Sequence, residues 1–109
     1  MLCKFRFAAL AAAAVTAVTL SAPARADGFV NVLTGGTSGV YYPLGVALSQ
    51  IYGEGIKGVK TQVQATKASV ENLNLLQQGR GEIAFTLGDS LRDAWEGNTE
   101  VGFKGKLDK

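Results

Sequence analysis

The sequence predicts an α/β fold built as a parallel three-stranded β-α-β-α-β-α unit. Two observations lead there. Short apolar or alternating runs occur three times, with segments of helical period between and after them. Each run ends in glycine or small hydroxyl residues, and a helical pattern starts directly afterwards. Such alternation argues for a parallel sheet with crossover helices, and right-handed crossovers fix its hand.

The strands come first. "FVNVL", residues 29–33, is rich in β-branched residues and reads as a buried strand. "VKTQVQA", residues 59–65, alternates strictly. Val59, Thr61, Val63 and Ala65 face one way, and Lys60, Gln62 and Gln64 the other. One polar face predicts a less covered strand, toward a sheet edge. "EIAFTL", residues 82–87, is the third strand.

The helices follow. Pro43 suits a first helical turn, where its missing N–H costs nothing. Leu44, Ala47, Leu48 and Ile51 then form one apolar stripe, and Gly53 and Gly55 stop the helix. Ser69 reads as an N-cap, with Glu71 at the positive end of the dipole. Val70, Leu73, Leu76 and Gln77 carry the period, and Gly79 ends it. Asp89 or Ser90 caps the third helix. There Leu91, Ala94 and Trp95 begin the pattern, Trp95 reads as core, and Gly97 stops it. The tail, residues 98–109, shows no clear period.

The first 26 of the 109 residues read as a secretory signal. Lys4 and Arg6 form a positive start, residues 7–20 are apolar and uncharged, and Ala24-Arg25-Ala26 is an A-x-A cleavage site. The apolar run falls short of the roughly 20 residues that cross a bilayer. Export with cleavage after Ala26 is therefore the expectation. Cys3, the one cysteine, leaves with the signal, and there is no histidine. That removes Ser-His-Asp and Cys-His catalysis and most zinc sites. Without the signal, eight basic and nine acidic residues remain, a net charge of −1. No basic stripe calls for nucleic acid. A mature piece of this size buries only a little over ~60% of its unfolded surface. Lacking staples, it is expected to be marginal in isolation.

In parallel α/β sheets the strand-to-helix loops open on one edge, where ligands bind. "TGGTSGVYY", "ATKAS" and "LGDS" should therefore lie side by side. Each precedes a helix N-terminus, which favours an anionic group. The glycines do not make a phosphate loop, because no G-x-x-x-x-G-K-[ST] pattern is present. Nor is Ser38 a nucleophile elbow, since position 40 is Val40 and no histidine activates it. Asp89, Asp93 and Glu96 share a helix face but read as solvated surface rather than a metal site. Taken alone, the first loop fits a permissive turn as well as a site. Three hydroxyl-rich loops on one edge favour the site. Tyr41 and Tyr42 begin a helix, so one packs and the other faces the ligand.

"TGGTSGVYYPLG", then "QATKASVENLNLLQQG", then "IAFTLGDSLRDAWEG" resemble the N-terminal part of the TAXI-type solute receptors. These serve TRAP (tripartite ATP-independent periplasmic) transporters. The resemblance covers nearly all of the mature chain. It implies one lobe of a two-lobed, type II-like periplasmic binding fold that closes on a small carboxylate such as an amino acid or dicarboxylate. The protein would not be an enzyme and would need no cofactor or metal. It would deliver its ligand to the membrane subunits of a TRAP transporter. Carried over by motif, the ligand-binding residues are Thr37, Gly39, Val40, Tyr41, Tyr42, Thr66, Ser69, Asn72, Asp89 and Ser90. Two departures touch the pocket rim: Lys67-Ala68 where many members have two glycines, and Gly88-Asp89-Ser90 where many have Q-S-D. They leave the ligand's identity open. An exported small-molecule enzyme using the same loops, or a fragment that binds nothing, are the competing classes. Family members are several times longer. Residues 27–97 are thus expected to be the opening of lobe one, and residues 98–109 a truncated tail.

Overall fold

The computed structural model describes residues 28–108. The expected signal segment and its cleavage site lie outside the described residues. The observed elements are β1 (Gly28–Leu33), α1 (Tyr41–Gly55), β2 (Val59–Gln64), α2 (Ser69–Gln77), β3 (Ile83–Ala84) and α3 (Gly88–Glu96). A short 3₁₀ turn, Thr99–Val101, follows. The three strands form one open parallel sheet in the order β2-β1-β3. This is the α/β unit that the alternation predicts.

β1 is central because both its faces are covered. Val32 and Leu33 alternate in direction, yet both are fully buried. β2 pairs with it from Gly28↔Val59 to Leu33↔Gln64 and stands at the edge, as its polar face predicts. β3 is shorter than the expected residues 82–87. Only Val32↔Ile83 and Leu33↔Ala84 form a regular ladder. Single bonds extend the pairing, from Glu82 N–H to Asn31 O and from Phe85 N–H to Leu33 O.

The apolar stripe expected to bury α1 does not do so. Leu44 and Ile51 stay exposed, and the helix instead buries Gly45 and Ser49. Sterics explain the choice. A Cβ on Gly45 would come within 2.3 Å of Thr34 Cγ2. Gly45 and Ser49, four residues apart, share the helix face turned to β1 and β2, and at Gly45 the approach leaves no room for a side chain. Pro43 is the third helical residue, where an N–H has no intrahelical acceptor anyway.

α2 packs on β3 and α3. Its Leu73 joins Ala94 and Phe103 in a core cluster flanked by Val70 and Leu107. Phe103 is the largest fully buried side chain. The tail, read from sequence as patternless, thus closes this side of the unit. Leu107 N–H donates to Ala94 O, and the chain crosses Gly97 so closely that a Cβ there would lie 2.6 Å from Lys106 N. Gly97 adopts φ +76° and ends α3 as expected. Trp95 is not core: it is 72% exposed, while Ala94 takes the inward position.

Candidate functional site

The strand order makes a crevice. The chain runs from β1 outward to β2, then crosses back over β1 to β3. With right-handed crossovers, α1 and α2 take opposite faces. α3 lies beside α2. The helices leaving the neighbouring strands β1 and β3 therefore diverge. Such a topological switch point, at the carboxyl ends of the strands, is where open α/β sheets bind ligands.

The three strand-exit loops are joined there by hydrogen bonds. Thr34, fully buried just after β1, donates its hydroxyl to Gln64 O at 2.7 Å. Thr66 N–H donates to Gly35 O, which carries the β1–β2 pairing past the strand ends. Asn72 is the hub. It is fully buried, and its Nδ2 donates to Thr34 O at 2.5 Å and to Phe85 O at 2.8 Å. Its Oδ1 accepts the Thr66 hydroxyl at 2.6 Å. That hydroxyl also lies 3.0 Å from Thr34 O and accepts Ala68 N–H at 3.0 Å. One carboxamide thus holds the ends of β1 and β3 and the loop after β2.

Ser69 extends this frame. It is the first residue of α2 and not its N-cap; Ala68 takes the cap position. The buried Ser69 hydroxyl instead accepts Leu87 N–H at 3.0 Å, tying the third loop to the second. Asp89 and Ser90 are not caps either. α3 begins at Gly88, with Leu87 as its cap residue. Asp89 Oδ1 accepts Ser90 N–H at 2.7 Å within the first turn.

Above this frame lies a shallow depression of about 310 Å³, lined by Gly35, Gly36, Gly39, Val40, Tyr41 and Ala68. Gly39 N–H donates to Gly36 O at 2.8 Å, closing a turn with the exposed Thr37 at its tip. Tyr41 is the tyrosine that lines the depression, and its ring stacks on Phe85 with centroids 5.4 Å apart and planes at 20°. The pair bridges the β1 and β3 loops across the switch point. No charged side chain lines the depression. Its lining surface is almost wholly apolar, and it lies beside the N-terminus of α1.

The expected residues therefore fall into three groups. Gly39, Val40 and Tyr41 line the depression, and Thr37 sits at its rim. Thr66, Ser69 and Asn72 form the frame beneath it. Tyr42, Asp89 and Ser90 are not among the lining residues. Gly35, Gly36 and Phe85 were not singled out by sequence, and Ala68 entered only as part of a departure at the pocket rim. Phe85 was legible as an aromatic at the exit of the third strand.

A larger cavity, about 530 Å³, lies between the second half of α2 and the tail. Lys104 and Lys106 line it beside Gln77 and Gln78 at the C-terminal end of α2. Cations there complement the negative end of the dipole. The cavity is remote from the strand ends, so the switch-point depression is the better candidate. Among the described residues, no group of His, Cys, Asp and Glu could hold a metal ion. No helix among them is long and apolar enough to cross a membrane.

The family comparison agrees with a binding-protein reading of this geometry. Residues 32–109 match the profile of the NMT1-like family, a periplasmic binding-type family. The match begins inside β1 and spans the three loops, the frame and the tail with Phe103. The chain belongs to the NMT1-like family.

Proposed function

We propose that this chain belongs to an exported TAXI-type receptor. It captures a small carboxylate and hands it to the membrane subunits of a TRAP transporter. The observation that carries this reading is the switch-point depression, walled by glycine backbone, Val40, Ala68 and the Tyr41 ring and framed by the Thr66 and Ser69 hydroxyls and the Asn72 amide. An uncharged, almost wholly apolar wall suits the body of a small ligand and provides no reactive group of its own, while the adjoining N-termini of α1 and α2 favour its carboxylate. The chain acts as a receptor and not as an enzyme. Ser38 lies on an exposed turn and has no histidine to activate it. The N-terminal 26 residues direct it to the periplasm and are removed there.

The test is calorimetric titration of the full chain with L-glutamate, succinate and acetate. Mass spectrometry of each mixture after prolonged incubation accompanies it. A receptor binds at least one probe and returns it unchanged. Binding followed by conversion sinks the receptor reading in favour of an enzyme. A folded protein that binds none of the three overturns the carboxylate assignment.

A further inference from the structure

We infer that the Ala68 methyl, held against Gly35, sets the width of the crevice and so the bulk of the carboxylate-bearing group it admits. The inference rests on the carboxylate-receptor reading and adds a residue that decides between ligands. Ala68 adopts φ 69°, ψ −144°, and among the described residues it is the one non-glycine at positive φ. L-residues rarely occupy that region. Both of its backbone groups are held. Its N–H donates to Thr66 Oγ1 at 3.0 Å, and its carbonyl accepts Asn72 N–H at 2.9 Å. The conformation therefore cannot relax without releasing the frame.

A glycine would meet every one of those backbone demands without strain. The turn alone therefore does not account for a side chain here. What the methyl does is form a wall. A Cβ built on Gly35 would lie 3.5 Å from Ala68 Cβ and 3.6 Å from Tyr41 Cδ2. Gly35 thus leaves a gap bounded by the Ala68 methyl and the Tyr41 ring. All three residues line the depression. Removing the methyl widens this gap, and adding one at Gly35 fills it.

Two substitutions test the inference in opposite directions. Ala68→Gly removes the wall. Gly35→Ala narrows the crevice at ordinary contact distances of 3.5–3.8 Å, so it is compatible with folding. Each full-length protein is melted without ligand and then titrated with acetate, succinate and citrate. One methyl in a pocket wall alters discrimination by about tenfold. Ala68→Gly should raise the affinity for citrate relative to acetate by about that factor, and Gly35→Ala should lower it. Relief of the backbone should also raise the melting midpoint of Ala68→Gly by a few degrees. An unchanged affinity ratio in both folded variants overturns the inference and leaves the receptor reading intact. Absence of binding by all three folded proteins overturns the receptor reading, and the width inference with it.

Discussion

The Thr66–Asn72 pair should behave as one energetic unit, and a double-mutant cycle measures this. Asn72→Leu keeps the side-chain volume but removes both amide donors. Thr34 O still has the Thr66 hydroxyl 3.0 Å away, so that carbonyl keeps a partner. Phe85 O loses its Nδ2 donor inside the fold. A stranded buried acceptor costs about 1–3 kcal/mol, and each of the two other lost bonds about 1 kcal/mol. The expected penalty is thus about 3–5 kcal/mol. A domain of about 80 residues has only about 4–12 kcal/mol of stability in total. The melting midpoint should therefore fall by about 15 °C or more. Thr66→Val strands Ala68 N–H and Asn72 Oδ1 and should cost about 2 kcal/mol. The double variant should lose less than the sum, by about 1–2 kcal/mol. Urea unfolding followed by far-UV circular dichroism gives each value from the midpoint at a common slope. Penalties that add to within about 0.5 kcal/mol would refute the network. So would an Asn72→Leu cost below about 1 kcal/mol.

Three further outcomes follow from the packing. Gly45→Ala should destabilise by about 1–3 kcal/mol, because its Cβ meets Thr34 Cγ2 at 2.3 Å. Gly55→Ala, with nothing within 4 Å, is the control that should not. Phe103→Ala should cost about 3–5 kcal/mol in chemical denaturation; a near-neutral result would show that the tail does not close the core. Trp95→Ser should change stability by no more than about 0.5 kcal/mol. The emission of this sole tryptophan should match that of the free amino acid in water, whereas a blue-shifted maximum would show that the side chain is covered.

The strand pattern was legible because alternation depends only on backbone period. Val59, Thr61 and Val63 could serve β2 in one orientation only, and its polar face marked an edge. The glycine loop and Pro43 likewise marked the start of α1. The face that α1 buries was not legible. Helical period finds large apolar residues, but this helix approaches the sheet through Gly45 and Ser49, and small residues carry no hydropathy signal. Trp95 was misplaced by the same rule. Ala94, one position earlier, is small enough to sit against Leu73 and Phe103, so the larger ring points outward. The tail was misread because its apolar positions, Phe103 and Leu107, occupy irregular chain and have no period to detect.

The loops expose a subtler limit. Thr66, Ser69 and Asn72 read from sequence as groups facing a ligand, because hydroxyls and amides suit that task. In the structure each of them joins one strand-exit loop to another. A composition cannot say whether a hydroxyl points outward to a guest or inward to a neighbouring carbonyl. Burial decides it here: at the closed end of a parallel sheet, the carbonyls of Thr34 and Phe85 must find donors away from water. The nearest helix supplies one carboxamide that reaches both. With the polar side chains engaged below, the surface of the depression consists of glycine backbone, Val40, the Tyr41 ring and the Ala68 methyl. The motif pointed to Gly39, Val40 and Tyr41 among these, but not to Gly35 or Gly36, because a glycine in a loop carries no signal for which wall it forms.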